Sequence, residues 1–227
     1  PLIAEATLER YCWISFGFVF IFFSLSGTQL PHYLLYGFTP LLLLLGTQMD
    51  RLQSKIWALA PTLILPILFS LLPELLNYGA TRMDNAHQQA MLSAATDSAG
   101  LSYRVLSIGG AVATAWLIFL NRSALWQRLV VAGLIQALVL AWAVLPLLAE
   151  IQQQPIKDAA TIATKKSAPL VLWKAHLPSF VTYTKRAVER RAPKSGDIVL
   201  TRLQHQSKLP AHTILFNSNG IVLAEMQ

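Results

Sequence analysis

Charge is scarce in this chain. Asp, Glu, Lys and Arg make up 13% of its 227 residues, about half the share of a soluble domain, so an ordinary solvated surface is excluded for much of it. Cysteine is nearly absent as well. Cys12 stands alone, which rules out an internal disulfide and a cysteine-based metal site; inside an apolar run it reads as a small core hydrophobe. There is no Ser-His-Asp set, no P-loop and no H-E-x-x-H. His176, His205 and His212 have no second ligand at metal spacing, and no cofactor is identifiable. No initiator Met or signal peptide opens the chain at Pro1, and the expectation is a C-terminal piece of a longer protein. No internal repeat is visible, which disfavours a transporter.

What is abundant is apolar sequence, at 54%. Several runs approach the roughly 20 residues of a spanning helix, so the chain reads as an integral membrane protein. Five spans are expected, at about 11–26, 32–49, 54–77, 103–120 and 129–149, forming a transmembrane bundle over 1–150. Pro61, Pro66 and Pro73 fall inside the third run, where neighbouring helices would have to satisfy the carbonyls that proline frees. Arg10, Arg51, Lys55, Arg122 and Arg128 mark the cytoplasmic ends under the positive-inside rule. The turn at 26–31, a polar loop at 78–102 and the tail then face the other side, the periplasm of a bacterium.

The tail, 151–227, differs in kind. The first 150 residues hold seven basic and seven acidic residues, whereas the tail holds eleven and four and carries the whole net charge of +7. A basic module beside a membrane is drawn to anionic headgroups; no nucleic-acid motif is present. Ile156 to Lys166 predicts a helix with Ile156, Ala159, Ala160 and Ala163 on one face. Strands are expected at 170–173, 197–203, 213–216 and 221–225, the last two joined by Asn217-Ser218-Asn219-Gly220, and a second helix at 183–191. The fold class is therefore mainly α: a multi-spanning helix bundle with a small C-terminal extramembrane α/β domain.

Between the first two spans the chain reads Phe22-Phe-Ser-Leu-Ser26-Gly-Thr-Gln29-Leu-Pro31-His32-Tyr33. A tight turn needs only Gly, Pro, Asn or Asp. This one adds hydroxyls, an amide, an imidazole and a phenol, donors suited to a phosphate at headgroup depth, with Pro31 placed to open the next helix. The segment resembles the F-F-S-x-S-x-x-K-L-P-x-Y-x-L-P stretch of the polyprenyl-phosphate-sugar glycosyltransferases. That multi-spanning family includes bacterial aminoarabinose transferases and protein O-mannosyltransferases. Leu177-Pro178-Ser179-Phe180-x-x-Tyr183-x-Lys185-Arg186 is similar to a P-S-L-x-F-Y-x-G-R stretch in the family's C-terminal domain. Gln29 stands where the family has Lys, and Tyr36 where it has Pro.

The resemblance implies an inner-membrane enzyme that transfers a sugar from an undecaprenyl- or other polyprenyl-phosphate donor to a lipopolysaccharide (lipid A), protein or other glycan acceptor. It places Ser26, Gln29, His32 and Tyr33 at the lipid phosphate. The same side chains also suit an interfacial belt, where Tyr is common. With Gln29 uncharged, Arg104 at the non-cytoplasmic end of span four is the candidate cation. Glu74, an acid inside an apolar run close to the same side, is expected to pair with Arg104, to line the substrate cavity or to sit at headgroup depth. The family's catalytic acid belongs to a loop preceding this sequence, so no catalytic residue is assigned here, and the piece alone is expected to be inactive. The alternative is a non-catalytic membrane anchor carrying a periplasmic binding domain.

Overall fold

The computed structural model describes residues 2–26, 35–48, 54–120 and 123–227. Helix α1 (Leu2–Leu25) packs on α2 (Leu35–Gln48), and Gly37 permits the approach, since a Cβ there would lie 3.2 Å from Val19 Cγ1. A short α3 (Lys55–Leu59) runs through a 3₁₀ turn (Ala60–Leu63) into α4 (Ile64–Ala80). Helix α5 (Ala86–Ser98) packs on α4 and leads into α6 (Leu101–Phe119). Then α7 (Leu125–Val139), a π-helical turn (Leu140–Val144) and α8 (Leu145–Gln152) form one long rod. Four stretches are long and apolar enough to cross a membrane: Thr7–Leu25, Ile56–Ala80, Leu101–Phe119 and Leu125–Gln152. The described part of the expected second span is shorter, at 14 residues or about 21 Å. The chain is a multi-pass membrane protein.

The prolines of the third span are accommodated by side chains. Pro66 and Pro73 are buried in α4, and neither can donate to the carbonyl four residues back. Those carbonyls belong to Thr62 and Phe69. Gln136 Nε2 of α7 donates to Thr62 O at 2.7 Å, and the Tyr103 hydroxyl of α6 donates to Phe69 O. Helices α6 and α7 meet at Gly110, where a Cβ would come within 2.4 Å of Val139 Cγ2.

Two expectations fail. The polar loop at 78–102 contains α5: Asn85 caps it, its side chain accepting from His87 N at 3.0 Å and from Gln88 N. In the tail, the helix expected at 183–191 is instead α10 (Pro178–Thr184). Proline opens it, Lys185 closes it in the left-handed region (φ 51°), and the following residues form β2 (Val188–Glu189).

Helix α9 (Gln154–Thr164) buries Ile156, Ala159, Ala160 and Ala163 against a sheet. The strands are β1 (Leu170–Leu172), β2, β3 (Ile198–Arg202), β4 (His212–Ser218) and β5 (Ile221–Met226), with a short α11 (Leu203–Gln206) after β3. Their order is β2-β1-β3-β5-β4. Strand β1 is parallel to both β2 and β3, while β5 is antiparallel to β3 and β4. Asn219 (φ 46°) and Gly220 (φ 77°) make the two-residue β4–β5 turn, the backbone that Asn-Gly favours. Leu170, Leu172, Phe180, Ile198, Leu200 and Leu223 fill the core under α9.

Candidate functional site

Helix α1 carries stacked aromatic pairs one turn apart, Phe16 with Phe20 and Phe18 with Phe22. A groove of about 440 Å³ runs along Phe18, Ile21, Phe22 and Leu25 and ends at Ser26. The lining is apolar apart from Ser26, the polarity of a site for a lipid tail. Gln29, His32 and Tyr33, the other turn candidates, lie outside the described residues.

Glu74 and Arg104 are brought together. Arg104 Nη1 forms an ion pair with the Glu74 carboxylate and joins α6 to α4, with both side chains partly exposed. An exposed pair of this kind adds about 0–1 kcal/mol. Its main effect is electrostatic: the carboxylate offsets the guanidinium, so Arg104 reaches any nearby anion with its charge already half-answered. A hollow of about 290 Å³ opens between α6 and the α7–α8 rod, walled by Ser98, Ser102, Tyr103, Trp142 and Glu150. Glu150 and Pro146 are shared with a second hollow of about 520 Å³ that reaches Gln154, Lys157 and Tyr183.

The tail docks on this same end of the bundle through its hairpin turn. His87 Nδ1 donates to Gly220 O at 2.9 Å, and Asn219 Nδ2 donates to Ile151 O at 3.3 Å. Gly220 has no space for a side chain: a Cβ would lie 2.5 Å from His87 Nδ1 and 2.7 Å from His87 O. Burial holds the His87 imidazole below its usual 6.5, Arg202 adds to that, and the Gly220 carbonyl opposes it. Within the tail, Arg191 clamps Asp197 with two nitrogens and also pairs with Glu189. That hydrogen bonding holds the Asp197 carboxyl below the ordinary carboxylate range; it is a brace for the start of β3. Among the described residues no three His, Cys, Asp or Glu side chains gather as a metal site would need.

Sequence reasoning missed the docking role of His87. The Asn-Gly turn and the Asn85 cap were both legible, but not that one would sit on the other. It missed Tyr103 and Gln136 too, although counting four residues back from Pro73 and Pro66 would have shown that two donors were needed.

No family model matches the chain, and no curated protein does. Its fold does match solved structures. ArnT from Cupriavidus metallidurans in the apo state superposes with a TM-score of 0.64 at 16% identity, covering 94% of this chain and 45% of that one. The same protein bound to undecaprenyl phosphate gives 0.62 at 18%, with the same coverage. The chain thus spans under half the length of the structures it matches. Bundle and tail together have the fold of one part of ArnT.

Proposed function

We propose that this chain forms the C-terminal part of a membrane glycosyltransferase that moves a sugar from a polyprenyl-phosphate donor to an acceptor at the periplasmic face of the inner membrane. The observation that carries the reading is the fold match over 94% of the chain to an ArnT structure bound to undecaprenyl phosphate. The turn at 22–33, with its resemblance to the polyprenyl-phosphate-sugar glycosyltransferases, supports it independently. So does the apolar groove that ends at Ser26, which suits the prenyl chain. In this reading Ser26, Gln29, His32 and Tyr33 take the lipid phosphate, and Arg104 contributes a cation tempered by Glu74. An acidic residue outside this chain deprotonates the acceptor hydroxyl as it attacks the anomeric carbon, and the lipid phosphate leaves toward these donors. Arginine and lysine placement supports a periplasmic position for the 26–31 turn, the 78–102 segment and the tail.

The test is Tyr33→Phe in the complete protein, which keeps the ring and removes the donor. A charge-assisted hydrogen bond of about 1.5–3 kcal/mol corresponds to a fall of about 10- to 150-fold in donor affinity. If the bond tightens as the phosphate leaves, the fall moves to turnover at saturation. An active enzyme in which neither changes removes Tyr33 from the site and leaves the turn as an interfacial belt.

A further inference from the structure

The tail holds a cluster of hydrogen-bond donors without acceptors. Strand β1 runs into Trp173 and Lys174, and β3 runs into Arg202 and α11. These are the carboxyl ends of adjacent parallel strands, and the chain leaves them in opposite directions, from β1 toward β2 and from β3 toward β4 and β5. Ligands of open α/β sheets sit outside the carboxyl ends at such a reversal. The two strand ends are tied: Trp173 N donates to Leu200 O at 3.1 Å, and Thr201 Oγ1 donates to Trp173 O at 2.9 Å. Lys174 adopts the left-handed region (φ 50°), a conformation that a non-glycine residue takes up at a cost and that clusters at ligand sites. Its Nζ lies 4.9 Å from the centre of the Trp173 ring, whose other neighbour is the His205 ring, edge-on at 6.2 Å.

Two buried nitrogens here lack partners, Arg202 Nε and His205 Nδ1. The first is always a donor. The second belongs to an imidazole whose Nε2 meets the Gln204 side-chain amide at 3.1 Å, and it donates whenever the ring carries a proton there. Leaving such donors buried and unmatched is costly, most of all on a charged group. The charges are also one-sided. After burial, Lys174, Lys208 and Arg202 all act to hold the His205 imidazole below its usual value. Among the described residues these three cations form no ion pair. Helix α11 packs on α5, beside the hairpin turn docked on His87 and Ile151, so the cluster lies next to the joint between tail and bundle.

We propose that Arg202, His205 and Lys174 bind a phosphate group at this edge of the sheet, against the wall formed by Trp173. Two cations and an imidazole together offer several donors and more than one positive charge, a set that suits a phosphate. The position, at the end of the spans, serves a lipid headgroup phosphate or a free phosphate alike. This site shares no residue with the turn at 26–33 and does not depend on the transfer reaction.

The experiment uses the full chain in phosphatidylcholine nanodiscs, titrated with inorganic phosphate while the His205 ring signals are followed by NMR, assigned with His205→Asn. The expected result is a saturable shift that weakens about tenfold or more in Arg202→Gln, weakens in Lys174→Ala, and is unchanged in Lys165→Ala on the exposed end of α9. If Arg202→Gln does not fold, exposed Lys174 carries the test through Lys174→Ala and Lys174→Glu. Nanodiscs containing phosphatidate separate the sources. Ring signals already at the bound position and insensitive to added phosphate assign the site to a lipid headgroup, and an unaltered titration assigns it to free phosphate. No saturable shift in either membrane, or an equal shift in wild type and the Arg202 and Lys174 variants, overturns the site.

Discussion

The bundle and the tail use apolar residues in opposite ways. In the tail the large apolar side chains point inward: Leu170, Ile198, Leu200 and Leu223 are at most 2% exposed. In the bundle they point outward, as with Phe18, Leu42, Ile64 and Trp142, while Ser107, Gly110 and Thr114 are buried between helices. Burying hydrocarbon stabilises the tail at about 25 cal/mol per Å². Lipid is as apolar as leucine, so the bundle gains little that way and relies on close packing and polar contacts. The same substitution therefore means different things in the two halves. The joint between them is built like neither, since it rests on a turn, a histidine ring and two backbone carbonyls.

That joint is where the contrast breaks most easily. Gly220→Ala meets a backbone carbonyl and a ring while holding a left-handed φ, and a loss of about 2–5 kcal/mol is expected. Limited proteolysis should then release an intact tail from an intact bundle. Simultaneous collapse of both would mean that they are one cooperative unit. Next in size is Tyr103→Phe, which leaves the Phe69 carbonyl unpaired inside the bundle at about 1–3 kcal/mol. Adding Pro73→Ala restores the backbone N–H and should recover much of that, read as a coupling in thermal unfolding of the four variants in one detergent. Two purely additive losses would show that the hydroxyl does not serve the proline. The smallest effect is on pH. The folded-state pKa of His87 lies below its ordinary 6.5, so docking is at full strength above 6.5. It weakens as pH falls from there through the folded value. Protease sensitivity of the joint should rise as pH falls below about 6.5, with a shallower slope in His87→Gln; His205, displaced in the same direction, accounts for the slope that remains.

Much of the tail was legible because local signals agreed there. The Asn219-Gly220 turn fixed the hairpin register, and the spacing of Ile156, Ala159, Ala160 and Ala163 fixed the buried face of α9. The reading failed at 183–191, where the reversal at Lys185 is made by a residue with no turn preference. It failed at α5 because that helix has no apolar stripe, although Asn85 was a visible cap. Glu74 and Arg104 were recognisable as an acid and a base in apolar surroundings, and 30 residues of separation did not hide that they could meet. The phosphate cluster gave no such sign: Trp173, Lys174, Arg202 and His205 converge only through the order of strands in the sheet.

The side chains that complete α4 also bear on how the protein is made. When α4 leaves the ribosome, neither Tyr103 nor Gln136 has yet emerged, and the Thr62 and Phe69 carbonyls lack those donors. In hydrocarbon each unmatched carbonyl costs several kcal/mol. A helix carrying two of them is a poor candidate for release into lipid by itself. Insertion of this chain should therefore be delayed rather than stepwise, with α4 retained at the insertion machinery until α6 and α7 arrive to leave with it.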